Sequence, residues 1–257
     1  MKETIYTIPV NEAFDTADGC PFCALARRLE EERVDYTLGA SMMEPDARAL
    51  TNSLGFCARH FSMLSERPNK LSLALVLDTH LQSVRGRLDA VEANIAGGAA
   101  KRSRLFQKKG GADTAGTLLG AAIKAAEDGC AVCKSVDATM ERYLDVVFYL
   151  WDKEQAFREK FNACAGFCLP HYRELVQKCG QYLDTDTAQQ FTASLYKKQQ
   201  EMLTALQEDI HKFTLKFDYR NKDMAWGTAK DAPQRVVKTL AGYLVQTGED
   251  TDEKAAQ

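Results

Sequence analysis

The sequence predicts an all-α protein assembled from two related helical units. Three observations carry this. Only six prolines interrupt 257 residues rich in Ala, Leu, Glu, Lys and Gln, the better helix formers. Apolar residues return at roughly helical intervals along most of the chain. One arrangement of cysteine and histidine is also written twice.

Cys20-Pro21-Phe22-Cys23 is followed by Gly55-Phe56-Cys57-Ala58-Arg59-His60, and Cys130-Ala131-Val132-Cys133 by Gly166-Phe167-Cys168-Leu169-Pro170-His171. The CxxC copies lie 110 positions apart and the CxxH copies 111. Asp18-Gly19 precedes the first pair as Asp128-Gly129 precedes the second. Each unit is expected to carry one CxxC, one CxxH and a long helix.

The elements follow in order. Ile5-Tyr6-Thr7-Ile8 reads as a short extended arm, with Pro9 in the first turn of a brief helix to Thr16. Asp18-Gly19 turns the chain into the first CxxC. Ala24 to Tyr36 is helical, Leu25, Leu29, Val34 and Tyr36 facing inward and Arg27, Arg28, Glu30, Glu31, Glu32 and Arg33 forming a solvated face. Glu44-Pro45-Asp46 opens a short helix that Gly55 stops as a left-handed cap. Cys57 and His60, three apart at the start of the next helix, leave the same face. A helix from Asn69 to Asn94 carries leucines densely enough for packing on more than one side.

Residues 98–113, with Gly97-Gly98, Gly110-Gly111 and Lys101, Arg102, Arg104, Lys108 and Lys109 around them, read as a basic linker. The second unit repeats the plan. A helix from Thr114 to Glu127 leads to the second CxxC. Lys134 to Trp151 buries Met140, Tyr143, Leu144, Val147 and Phe148. Asp152 caps a helix to Phe161 with Gln155 in the capping-box position, and a long helix runs from Thr185 to Phe217. A loop around Trp226 and a helix from Ala232 to Gln246 complete the chain. The expected division is 1–97, linker 98–113, 114–219 and 220–257.

Composition excludes several classes. A hydrophobic fraction of 45% and a charged fraction of 27% are ordinary for a globular protein, and a net charge of −3 gives no general attraction to nucleic acid or anionic membranes. The basic linker has only Phe106 for base stacking. No apolar run approaches a membrane span, and the N-terminus lacks a targeting pattern, so a cytoplasmic location is expected. In that reducing compartment eight cysteines serve as ligands, redox thiols or apolar filler rather than as a disulfide framework.

Three thiolates and one imidazole complete a tetrahedral zinc shell. Cys20, Cys23, Cys57 and His60 are expected to hold one ion, and Cys130, Cys133, Cys168 and His171 a second. Pairing within each copy closes the shorter loops, 34 residues from Cys23 to Cys57 and 35 from Cys133 to Cys168. Four protein ligands leave no position for a reactive water, which points to structural rather than catalytic metal. Iron–sulfur ligation is the lesser alternative. Arg59 offsets the negative charge of the first site, where the second has Leu169, with only Lys134 and Arg173 close in sequence. Cys164 and Cys179 fall outside the repeat, and His80 and His211 read as structural.

The doubled CxxC and GFCxxH pattern, with Ile5-Tyr6-Thr7-Ile8-Pro9-Val10-Asn11-Glu12-Ala13-Phe14, Tyr36-Thr37-Leu38-Gly39, Ser41-Met42-Met43-Glu44-Pro45 and Lys216-Phe217-Asp218-Tyr219-Arg220-Asn221, resembles a bacterial family known as a domain of unknown function. The resemblance spans nearly the whole chain and implies a bacterial cytosolic protein, without an activity or substrate. The residues support a zinc-binding helical scaffold for a protein partner or a second copy of itself. A thiol or metal sensor is the alternative. No catalytic constellation is apparent.

Overall fold

The computed structural model describes residues 4–16, 18–102 and 111–243, and among these every regular element is helical. The α-helices are α1 (Thr4–Thr16), α2 (Pro21–Leu38), α3 (Pro45–Leu54), α4 (Ala58–Glu66), α5 (Lys70–Arg102), α6 (Gly111–Glu127), α7 (Ala131–Lys153), α8 (Gln155–Ala163), α9 (Leu169–Tyr182), α10 (Thr185–Leu215) and α11 (Ala232–Ala241). No helix is long and apolar enough to cross a membrane, among the described residues.

Several boundaries differ from expectation for physical reasons. The N-terminal segment is helix from Thr4, not an extended arm, with Pro9 inside it. As the sixth residue of α1, Pro9 removes one ladder bond and crowds the Ile5 carbonyl. Val10, Ala13 and Phe14 are buried at helical spacing, and that burial decides the conformation. Helix α5 runs past Asn94 and through Gly97-Gly98 to Arg102. Residues 103–110 of the expected linker lie outside the described residues. Helix α7 begins at Ala131 and continues to Lys153, so Asp152 is not a cap. Glu154 takes the N-cap position of α8 without a side-chain bond. The dense leucines of α5 are not all packed: Leu71, Leu75 and Leu81 are exposed.

The chain forms two compact units, residues 1–28 with 139–257 and residues 29–138, with boundaries inside α2 and α7. Neither unit is one copy of the motif. The first contains the first CxxC and the second CxxH, and the other holds the reverse combination.

Unit one is built on phenylalanine. Phe14 lies 5.0 Å from Phe157 and 5.8 Å from Phe161 between ring centres, and Phe161 lies 5.2 Å from Phe167. Asp184 caps α10 by accepting the Thr187 N–H at 3.0 Å. In unit two, Val34, Leu38, Phe56, Leu64 and Val76 are buried, and α5 packs on α3, α4 and α6.

Both long helices hold the loop that leads to a cysteine–histidine pair. In unit two His80 lies within 3.1 Å of the Asn52 carbonyl, and Arg87 donates to that of Ser53 at 3.1 Å. A Cβ on Gly55, whose φ is +62°, would lie 2.5 Å from the His80 ring, so only glycine fits there. In unit one Lys198 donates to the Asn162 carbonyl at 2.8 Å. Gln199, 1% exposed, donates to the Phe167 carbonyl at 2.9 Å and accepts its N–H at 3.4 Å. His80 therefore has the structural role expected of it.

Candidate metal centres

The eight candidate ligands gather into two groups of four, with the pairing exchanged between the copies. Cys20, Cys23, Cys168 and His171 form the first centre, and Cys57, His60, Cys130 and Cys133 the second. In each, all four donor atoms lie within 4.8 Å of one another. This corrects the expectation of pairing within each copy. That expectation weighed loop length too heavily, because closure entropy grows only with its logarithm. Lengthening a loop from 34 residues to the 145 between Cys23 and Cys168 costs about 1 kcal/mol.

Each centre sits where two helices begin. Cys20 directly precedes α2 and Cys23 lies in its first turn, while Cys168 is the N-cap of α9 with His171 one turn in. Cys57 is likewise the N-cap of α4, His60 lies in its first turn, and Cys130 and Cys133 open α7. Helix N-termini favour negative charge, which suits three thiolates.

In the first centre His171 Nδ1 lies 3.0, 3.4 and 3.5 Å from the sulfurs of Cys168, Cys23 and Cys20, and Cys23 Sγ is 3.4 Å from Cys168 Sγ. In the second, His60 Nδ1 is 3.2 Å from Cys57 and from Cys130 and 3.4 Å from Cys133, and the Cys57 and Cys133 sulfurs are 3.9 Å apart. Zinc bonds of about 2.3 Å to sulfur and about 2.0 Å to nitrogen give tetrahedral edges of about 3.8 Å for S···S and about 3.5 Å for S···N. Most observed edges are shorter than these, by up to about 0.5 Å, so each tetrad is compact enough to close on one small cation.

The chain belongs to DUF6062, a family of unknown function, which matches residues 1–247. No curated protein and no solved structure matches the chain. The chemistry of the centres therefore rests on their own atoms.

The donors are electrostatically crowded. In the first centre, hydrogen bonds from Cys20 and Cys23 hold the Cys168 thiol far below its ordinary range, while burial and bonding to Cys168 and Cys23 push Cys20 well above it. In the second, burial opposes ionisation of Cys130, but the bond from His60 prevails and brings it down to about 6. Burial and the neighbouring Cys130 push Cys133 upward. Burial alone would lower both histidines. Bonds to Cys130 and Glu30 instead raise His60 to about 10, and bonds to Cys168 and Cys23 raise His171 to about 10. One thiolate is stabilised at its neighbours' expense in each group, whereas a dication stabilises all three together.

Sequence reasoning missed Glu30. Placed on the solvated face of α2, it is in fact 3% exposed. Its Oε1 accepts from His60 Nε2 at 3.0 Å, which leaves Nδ1 to face the sulfurs. Arg59 grips the same carboxylate at 2.7 and 2.5 Å, so it acts on the centre through Glu30. Burial works against this carboxylate's charge, but Arg59 and His60 bring it down to about 2. A signal for Glu30 was present: the residue 110 positions on is Met140, an apolar residue that is buried. Cys164 and Cys179 are buried outside both centres.

Proposed function

We propose that the protein is a zinc-binding helical scaffold. In this reading, two Cys3His sites hold pairs of helix starts together, and the exposed helices receive a protein partner or a second copy of the chain. The observation that carries the metal reading is the convergence of all eight motif residues into two tetrads whose donor atoms all lie within 4.8 Å of one another.

Zinc is favoured over iron–sulfur chemistry because each donor set is compact enough for a single ion. A cluster would interpose inorganic sulfide and spread its ligands further apart. Three thiolates and Zn²⁺ leave each site with one net negative charge, which the helix N-termini offset. A full shell directs the role toward stability and assembly rather than hydrolysis. The partner reading draws on apolar side chains left on the surface of unit two, Leu71, Leu75 and Leu81 on α5 and Leu118 and Ile123 on α6. It also draws on the open groove between α9 and α10, lined by Tyr172, Val176, Ala188 and Tyr196.

Elemental analysis of protein purified without added metal, with a visible spectrum, tests the metal reading. Two zinc per colourless chain is the expected result. Iron with charge-transfer bands, or no metal with eight titratable thiols, would overturn it.

A further inference from the structure

The two centres share their donor set but not their supports. In the second centre the two ligand-bearing loops are tied by main chain: the Ala131 N–H donates to the Gly55 carbonyl at 2.9 Å. Gly129 packs so closely that a Cβ on it would lie 2.3 Å from the Leu54 carbonyl oxygen. The position matching Ala131 in the first centre is Pro21, which has no N–H to donate. Gly19, matching Gly129, has open space around it. Met140 and Pro170 stand at the positions of Glu30 and Arg59, so the carboxylate–guanidinium clamp on the histidine has no equivalent there.

The first centre has something else. The end of α11 lies over its sulfurs: a Cβ on Gly242 would be 3.6 Å from Cys168 Sγ and 4.0 Å from Cys23 Sγ. Gly242 has a φ of +84°, which permits the chain to turn there. Helix α11 is short and packs on α10 and α9 through a partly buried face. Of its ten residues only Ala232 is buried, while Val237 and Leu240 are exposed. Arg235 ties it to the rest of the unit, 2.7 Å from Asp209 of α10 and donating to the Thr228 carbonyl. A ten-residue helix with a single fully buried side chain opens locally at less cost than the unit around it.

We propose that the Cys20/Cys23/Cys168/His171 centre is an exchangeable metal site gated by α11, and that the Cys57/His60/Cys130/Cys133 centre is a permanent one. This rests on the zinc reading and adds a division of labour: one ion holds unit two together, and the other moves between the protein and competing thiol or nitrogen ligands when α11 lifts.

The test mixes full-length protein carrying two zinc ions with excess 4-(2-pyridylazo)resorcinol at neutral pH and follows the coloured complex. Two phases of equal amplitude are expected, separated by tenfold or more in rate. Arg235→Ala, which frees α11 without touching a ligand, should speed the fast phase several-fold and leave the slow one unchanged. Gly242→Val, which adds a side chain against the sulfurs at a left-handed position, should do the same. Glu30→Gln should speed only the slow phase. Two zinc ions leaving in one phase, or Arg235→Ala and Gly242→Val altering both phases or neither, would overturn the gate while leaving the zinc reading intact. Protein that binds no zinc would overturn both.

Discussion

The two centres are the same four donors in two different settings. The second is held by its own surroundings: a buried carboxylate orients His60, a guanidinium holds that carboxylate, and a main-chain hydrogen bond joins the loops. The first relies on packing from further away, with Gln199 fixing Phe167 from α10 and α11 closing over the sulfurs. Identical donor sets thus stand in unlike surroundings. What lies one bond beyond them sets orientation, lability and the cost of losing the ion.

The largest effect expected from breaking this comparison is loss of a ligand. Cys168→Ser should remove one zinc of two and lower the melting midpoint of unit one by roughly 10 °C, corresponding to about 4 kcal/mol. Elemental analysis and calorimetry read the two effects. Retention of both ions would show that Cys168 is not a ligand.

Gln199→Leu comes next. It leaves the buried N–H and carbonyl of Phe167 unpaired, at about 1–3 kcal/mol each. Denaturant unfolding should therefore show a loss of about 2–5 kcal/mol with the second centre's zinc affinity unchanged. A loss below about 1 kcal/mol would mean the clamp contributes little.

Glu30→Gln isolates the lock on His60. Zinc affinity of the second centre should fall by about 10–100-fold in competition titrations, with the first centre unaffected. Equal weakening of both would contradict the separation of their supports.

The smallest expected effect tests the peptide tie. Ala131 is the first residue of α7, where proline fits the backbone. Ala131→Pro removes only the bond to Gly55 and should cost about 1 kcal/mol, speeding zinc loss from the second centre about fivefold. A variant indistinguishable from the parent in stopped-flow release would remove this bond from the account.

Much of this molecule is legible in its sequence because helices declare themselves locally. The inward stripe Met140, Tyr143, Leu144, Val147 and Phe148 is buried as its spacing predicts. Gly55 stops α3 with a positive φ for the reason a glycine is expected there. The eight motif residues stand out because their spacing recurs. Their pairing is not legible. It depends on which helix starts meet in space, and the loop-length argument that favoured the nearer partner separates the alternatives by only about 1 kcal/mol. Glu30 was hidden differently, inside a run of charge whose neighbours face solvent. The arm at Ile5 to Ile8 was misread because strand propensity at those residues gave way to burial at Val10, Ala13 and Phe14.

The exchange of partners between the copies is the claim on which everything else stands, and zinc stoichiometry of two double variants tests it directly. Cys57→Ser with Cys130→Ser removes ligands from one centre in the exchanged arrangement, so one zinc per chain should remain. Cys20→Ser with Cys57→Ser strikes both centres and should leave none. The opposite result, no zinc in the first variant and one in the second, would show that each CxxC joins the CxxH of its own copy.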